Sequence, residues 1–173
     1  MDQKELLLVL LKLGHDVLEG TMEGVSSQVA QWAPPGLALP IGATYLHIVM
    51  AEDSLVNGMV RGLGTLFEGA WGGKTGASEL RPMDSSAYDG WARRVQVDVA
   101  AARAYGAAVY ATTEAYVRAA DPAELDRLVG ERFPGGAMPV AAFLASIVAT
   151  HACHHTGEIS ALKGEQGLKG YPY

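Results

Sequence analysis

The stretch PVAAFLASIVATHACHHTGEISALKG, residues 139–164, decides how this chain is read. Proline is tolerated at the first position of a helix, and the alanines and leucines that follow are strong helix formers. The segment therefore reads as one long helix from Pro139 to about Lys163. Within it lie three of the chain's five histidines and its only cysteine. A helix turns about 100° per residue, so side-chain directions follow from spacing. With Leu144 as reference, Val148, His151, His155 and Leu162 all fall within about 40° of it. The spacing thus predicts that His151 and His155 straddle an apolar, core-facing stripe. His154 falls about 80° to one side, Glu158 about 40° from the reference, and Cys153 on the far face.

Two imidazoles one helical turn apart on one face can grip a single metal ion. Burying both without one requires partners for four ring nitrogens, and protonation would set like charges side by side. The pair therefore points to a metal or a catalytic use. The zinc-protease pattern H-E-x-x-H is absent, because Ala152 follows His151. The paired Glu-x-x-His motifs of di-iron bundles are absent too, which favours a mononuclear site. A third ligand must come from another helix, and His15 and His47 are the remaining histidines. Ala43, Ala51, Ser54 and Gly58 share a face with His47 and leave room for an ion or a substrate. His15 reads as an ordinary surface or core residue. Glu158 has two readings: a group that orients an imidazole or accepts a proton, or a solvated glutamate at the stripe edge. Cys153 reads as a small buried or interfacial thiol.

Outside this segment, hydrophobic periodicity gives three more long helices. One covers about residues 4–32 and is weakened by Gly14, Gly20 and Gly24. APPGLALP, with Pro34 and Pro35, ends it. A second begins after Pro40 and runs through IGATYLHIVMAEDSLVNGMVRG. A glycine-rich loop follows over residues 62–83. The third helix takes Asp84, Ser85 or Ser86 as its cap and continues to about residue 120. DPAELDRLVG reads as a short helix capped by Asp121 with Pro122 at its first position. The apolar, aromatic tail GEQGLKGYPY is expected to fold back on the body. Four long helices in 173 residues indicate a single all-α domain over residues 1–173, a four-helix bundle.

The net charge of −6 and pI near 5.3 argue against a nucleic-acid partner. No apolar run is long enough for a bilayer, and the apolar N-terminal stretch is interrupted by Lys12, so a cytoplasmic protein without membrane contact is expected. One cysteine rules out an internal disulfide framework.

A histidine early in the second helix, in GATYLHIVMAED, followed by H-x-x-x-H and G-E-I in the last, resembles the DinB/YfiT-like superfamily. The tail GEISALKGEQGLKGYP and the region around Trp32, Pro34 and Pro35 are similar as well. The resemblance implies an up-down-down-up four-helix bundle and a tendency to form homodimers. It implies a divalent metal, zinc or nickel first and iron or manganese next, held by His47, His151 and His155. Characterised members are often metal-dependent transferases acting on small molecules with bacillithiol, mycothiol or another low-molecular-weight thiol. The resemblance thus implies a small-molecule substrate and such a thiol, with a metal-dependent hydrolase or a non-catalytic ligand-binding module as alternatives. Arg93, Arg94 and Arg103 are the candidates for a thiol's carboxylates, against the plainer reading of a solvated helix face. The third helix, rich in small residues, is the expected packing face for a second copy.

Overall fold

The computed structural model describes residues 1–82, 84–133 and 135–173. Met83, expected at the end of the long loop, and Pro134, in the link before the last helix, lie outside the described residues. Helix α1 (Gln3–Thr21) starts on a reciprocal cap: the Glu5 amide donates to Asp2 Oδ1 at 2.8 Å and the Asp2 amide to Glu5 Oε2 at 3.0 Å. The long first helix of the sequence reading is in fact two. Gly24 takes φ +74°, a left-handed conformation, and Ser26 then caps a new short helix, α2 (Ser27–Gln31). Helix α3 (Ile41–Asp53) follows Pro40 as expected and continues into a π-helical stretch, Ser54–Val60.

The expected third helix is also divided. A 3₁₀ turn (Ser85–Ala87) leads into α4 (Tyr88–Arg94), and α5 (Val99–Ala119) begins only at a new cap, Asp98. Between them Val95 and Val97 are buried and Gln96 is exposed, the alternation of an extended segment rather than a helix. This segment pairs with the long loop through an Ala77–Val97 bridge, and the Asp98 amide donates to the Gly76 carbonyl at 2.8 Å. Gly76, at φ +80°, passes so close to α5 that a Cβ would stand 2.5 Å from the Asp98 carbonyl oxygen. Helix α6 (Pro122–Asp126) carries the predicted Asp121 cap. Two short strands not foreseen, β1 (Leu128–Val129) and β2 (Met138–Pro139), pair antiparallel ahead of the last helix. That helix consists of α7 (Val140–Phe143), a π-helical stretch (Leu144–Ala149) and α8 (Thr150–Glu165) in unbroken succession.

The fold is all-α apart from that strand pair. Side-chain contacts fix the helix directions. Lys4 reaches the Arg118 carbonyl and Glu19 pairs with Arg103, so α1 and α5 are antiparallel. His15 meets Glu52 and Glu19 meets Tyr45, so α1 and α3 are antiparallel. Lys163 donates to the Thr21 carbonyl at 2.6 Å, which sets the ends of α1 and α8 side by side. The tail folds back as expected, with Pro172 against Gly20 and Tyr171 against Gly157. No helix among the described residues is long and apolar enough to cross a membrane.

The apolar core is in two parts. One cluster contains Leu18, Ile41, Tyr45, Trp91 and Ile159; the other contains Leu7, Leu11, Val56, Val117 and Phe143. Between them lies a buried polar layer. Glu52 accepts from Thr113 Oγ1 at 2.7 Å and shares a 2.9 Å contact with His15 Nε2. Asp53 accepts from the amides of Leu66 and Phe67, from Tyr105 Oη at 2.7 Å and from Asn57 Nδ2. Asp53→Ala leaves these buried donors unsatisfied, and a loss of roughly 3 kcal/mol or more is expected in urea denaturation. The loop at residues 61–82 should then become the first site of limited proteolysis.

Candidate metal centre

His47 lies in the second turn of α3, and His151 and His155 lie in the first turns of α8. The structure brings these three together and leaves the other two histidines apart. His15 is buried in the polar layer, stacked on Tyr110 with ring centroids 4.0 Å apart. His154 is exposed, and so is Cys153, which overturns the buried alternative of the two expected for that thiol. The three rings of the trio stand 4.5–4.9 Å apart between centroids. One nitrogen from each lies within 4.8 Å of the others. His47 Nε2 and His151 Nε2 face each other at 3.0 Å.

The histidines do not sit at the centre of the core stripe, as ideal helical counting predicted. The buried positions of α8 are Ala152, Thr156, Ile159, Leu162 and Lys163, and His151 and His155 are half-buried on the flank. The cause is the π-helical stretch just before them. Each π turn takes in an extra residue. Six such residues delay the phase by roughly a quarter turn relative to counting from Leu144. Both histidine-bearing rods contain such a stretch, which sequence periodicity did not reveal.

Burial comes first among the causes that lower the basicity of two of these rings. The His47 imidazole is pulled down to about 3, by burial, then by His151, His155 and the Arg81 guanidinium. His151 is pulled down to about 4 by burial, His155, His154 and Arg81, with Glu158 opposing. Both rings are neutral at neutral pH and keep a lone pair to give. Glu158 Oε2 contacts His155 Nδ1 at 2.8 Å, which fixes the hydrogen on Nδ1 and frees Nε2. His47 Nδ1 is buried with no partner among the described residues.

The donor set fits a divalent transition ion. Two imidazole nitrogens about 2.0–2.1 Å from one tetrahedral ion stand about 3.3 Å apart, close to the His47–His151 spacing. Facing lone pairs at that distance need either a hydrogen on one nitrogen or a cation between them. Beside the trio opens a cleft of about 510 Å³ whose lining includes Leu37, Leu39, Tyr88, Leu162 and Glu158. Its mostly apolar wall with a few polar groups suits a small organic molecule.

A family model for the DinB superfamily matches residues 10–159. The chain belongs to the DinB superfamily. The crystal structure of a conserved protein from Enterococcus faecalis shares the fold of this DinB-superfamily chain at a TM-score of 0.79 and 17% identity. The match covers 94% of this chain and 96% of that one. None of the curated proteins matches the sequence.

The arginines singled out from the sequence do not face this DinB site. Arg93 donates to the Gly36 carbonyl, Arg94 pairs with Glu79 and Arg103 pairs with Glu19. The groups the sequence did not reveal are Tyr88 and Arg81. Tyr88 is tilted against His47 at 5.4 Å, its hydroxyl pushed up to about 12, chiefly by burial. Arg81 lies over the Tyr88 ring, its guanidinium carbon 5.4 Å from the centroid. Arg81 lies in the loop before α4 and Tyr88 is the first residue of that helix, and no periodic pattern marked either.

An unfolded imidazole takes its proton near 6.5, whereas folded His47 and His151 take theirs only near 3 and 4. Between those values the unfolded chain binds more protons, so stability falls as pH drops below about 6.5. Urea titrations of chelator-treated protein between about pH 5 and pH 8 should show that fall, and His47→Gln should flatten it.

Proposed function

We propose that His47, His151 and His155 hold one divalent transition metal, zinc or nickel first, and that the protein is a metal-dependent small-molecule transferase of the thiol type. The convergence of one nitrogen from each histidine beside a mostly apolar cleft is the observation that carries this reading. Membership of the DinB superfamily supports it. A bound divalent ion lowers the pKa of a thiol or a water at its open position and supplies a nucleophile at neutral pH.

The chain's own residues divide the remaining work. Glu158 holds the His155 ring through Nδ1 and lines the cleft, where its second oxygen is the acceptor for the proton the nucleophile gives up. Tyr88 keeps its hydroxyl hydrogen at neutral pH and faces the same cleft as a donor to the electrophile. Leu37, Leu39 and Leu162 give its apolar part a dry wall. Sulfur attack on an electrophilic carbon then forms the S–C bond as the leaving group departs, with the thiol proton on Glu158.

Elemental analysis of protein purified without a histidine tag should find one transition metal per chain, lost in His151→Ala. Zinc-, nickel-, iron- and manganese-loaded protein should conjugate a small thiol to an electrophile, falling about 100-fold or more in His151→Ala. Ester or amide hydrolysis without thiol conjugation would make the protein a hydrolase. Ligand-dependent stabilisation without turnover would make it a binding module. No metal in any preparation would end the proposal.

A cytoplasmic location and a homodimer complete the reading. On α1 four large exposed apolar residues, Leu6, Val9, Leu10 and Leu13, form one stripe, whereas α5 exposes small alanines such as Ala104, Ala107 and Ala111. A dimer through α1 should give twice the chain mass in light scattering, and Val9→Glu with Leu13→Glu should return it to one.

A further inference from the structure

A second cavity, of about 600 Å³, lies between α3 and the long loop. Its lining includes Met50, Phe67, Thr75, Ala77, Leu80 and Arg81. Met50 sits one helical turn beyond His47, so the cavity lies along the same rod as the histidine trio. Its walls are largely apolar, and Arg81 is the one cation in its lining. The Arg81 Nε is shut off from solvent, and it has no hydrogen-bond partner among the described residues. The two carboxylates that line the same cavity are engaged elsewhere. Glu79 binds Arg94 Nη2 at 2.9 Å, and Glu68 accepts from Thr65 Oγ1 at 2.7 Å. A guanidinium offers five donors in a planar fork that matches a carboxylate. Here that fork is held in place by the Tyr88 ring beneath it, and its Nε has no partner among the described residues.

We propose that this second cavity is a binding site for a small organic carboxylate with an apolar body, anchored by the Arg81 guanidinium. The apolar body lies against Met50, Phe67 and Leu80, and the carboxylate accepts from the Arg81 guanidinium. Tyr88 links the two sites, since it supports Arg81 on one side and lines the histidine cleft on the other. What the bound molecule is for rests on the transferase reading above; that it binds does not, because Arg81 needs no metal to hold an anion.

The test uses the full chain stripped of metal by chelator, titrated with octanoate and with its neutral counterpart octanamide. Calorimetry should show octanoate binding about tenfold tighter or more, the worth of a charge-assisted hydrogen-bond pair. Amide NMR shifts should centre on Phe67, Gly72 and Leu80. Arg81→Met should bring octanoate down to the affinity of octanamide while one zinc per chain still binds at the histidines. His151→Ala should lose zinc and keep octanoate, so failure of the metal site and failure of the anion site are read separately. Leu80→Asp changes an exposed residue and should weaken octanoate more than octanamide while zinc still binds, which decides the matter if Arg81→Met does not fold. Equal affinity for the two probes, a preference that survives in Arg81→Met, or shifts centred on Leu37 to Leu39 would overturn the proposal.

Discussion

Two adjacent buried acids in α3 set the register on which the rest of the molecule depends. Glu52 is 2% exposed and Asp53 is fully buried. Groups of this kind cannot stay in a core without hydrogen bonds, since each would otherwise cost several kcal/mol. Their partners come from every direction: α1 through His15, α5 through Thr113 and Tyr105, and the long loop through the amides of Leu66 and Phe67. Apolar packing resists separation of helices but discriminates poorly between axial positions, whereas hydrogen bonds are directional. A slip of one residue moves a helix about 1.5 Å and would break this layer. The same slip would part His47 from His151, whose nitrogens meet across two helices at 3.0 Å. The layer that orders the core therefore also orders the site.

The π-helical stretch before α8 does the complementary job of aiming side chains. Had α8 continued from Leu144 in plain α-helical phase, His151 and His155 would face the middle of the core. Delayed by the stretch at Leu144–Ala149, they face the flank, where a cleft can reach them. Ala152, Thr156 and Ile159 take over the core face. An insertion of this kind is a local irregularity with a cost, and π-bulges recur at functional sites because they re-aim the side chains beyond them.

The range of each interaction decides how much of this was legible in the sequence. The His151–His155 pair was readable because its spacing is local, and so were the Asp121 cap and the helix that begins after Pro40. The approach of His47 came from a family resemblance rather than from spacing, because it joins residues 104 apart in sequence. Both splits, at Gly24 and at Asp98, replaced a continuous periodic pattern with a turn or an extended segment whose stabilising contacts lie elsewhere in the chain. Val95 and Val97 alternate with Gln96 over too few residues to stand out against the helical patterns on either side. Glu52 and Asp53 carried no signal, because an acidic pair in a helix usually faces solvent. Arg81 and Tyr88 were silent for a related reason: they lie where the chain leaves a loop, and only the folded loop brings them to the histidines.

Half-burial of the trio reconciles two demands that pull apart. Exposed imidazoles near 6.5 would be partly protonated in mildly acidic solution and free to rotate away from one another. Fully buried ones would stay neutral but give a substrate no path. His47 and His151 are buried enough to be neutral, pulled down to about 3 and 4, yet the side chain of His155 retains 26% exposure at the cleft. Arg81 reinforces the arrangement, since a fixed positive charge nearby raises the cost of protonating either ring.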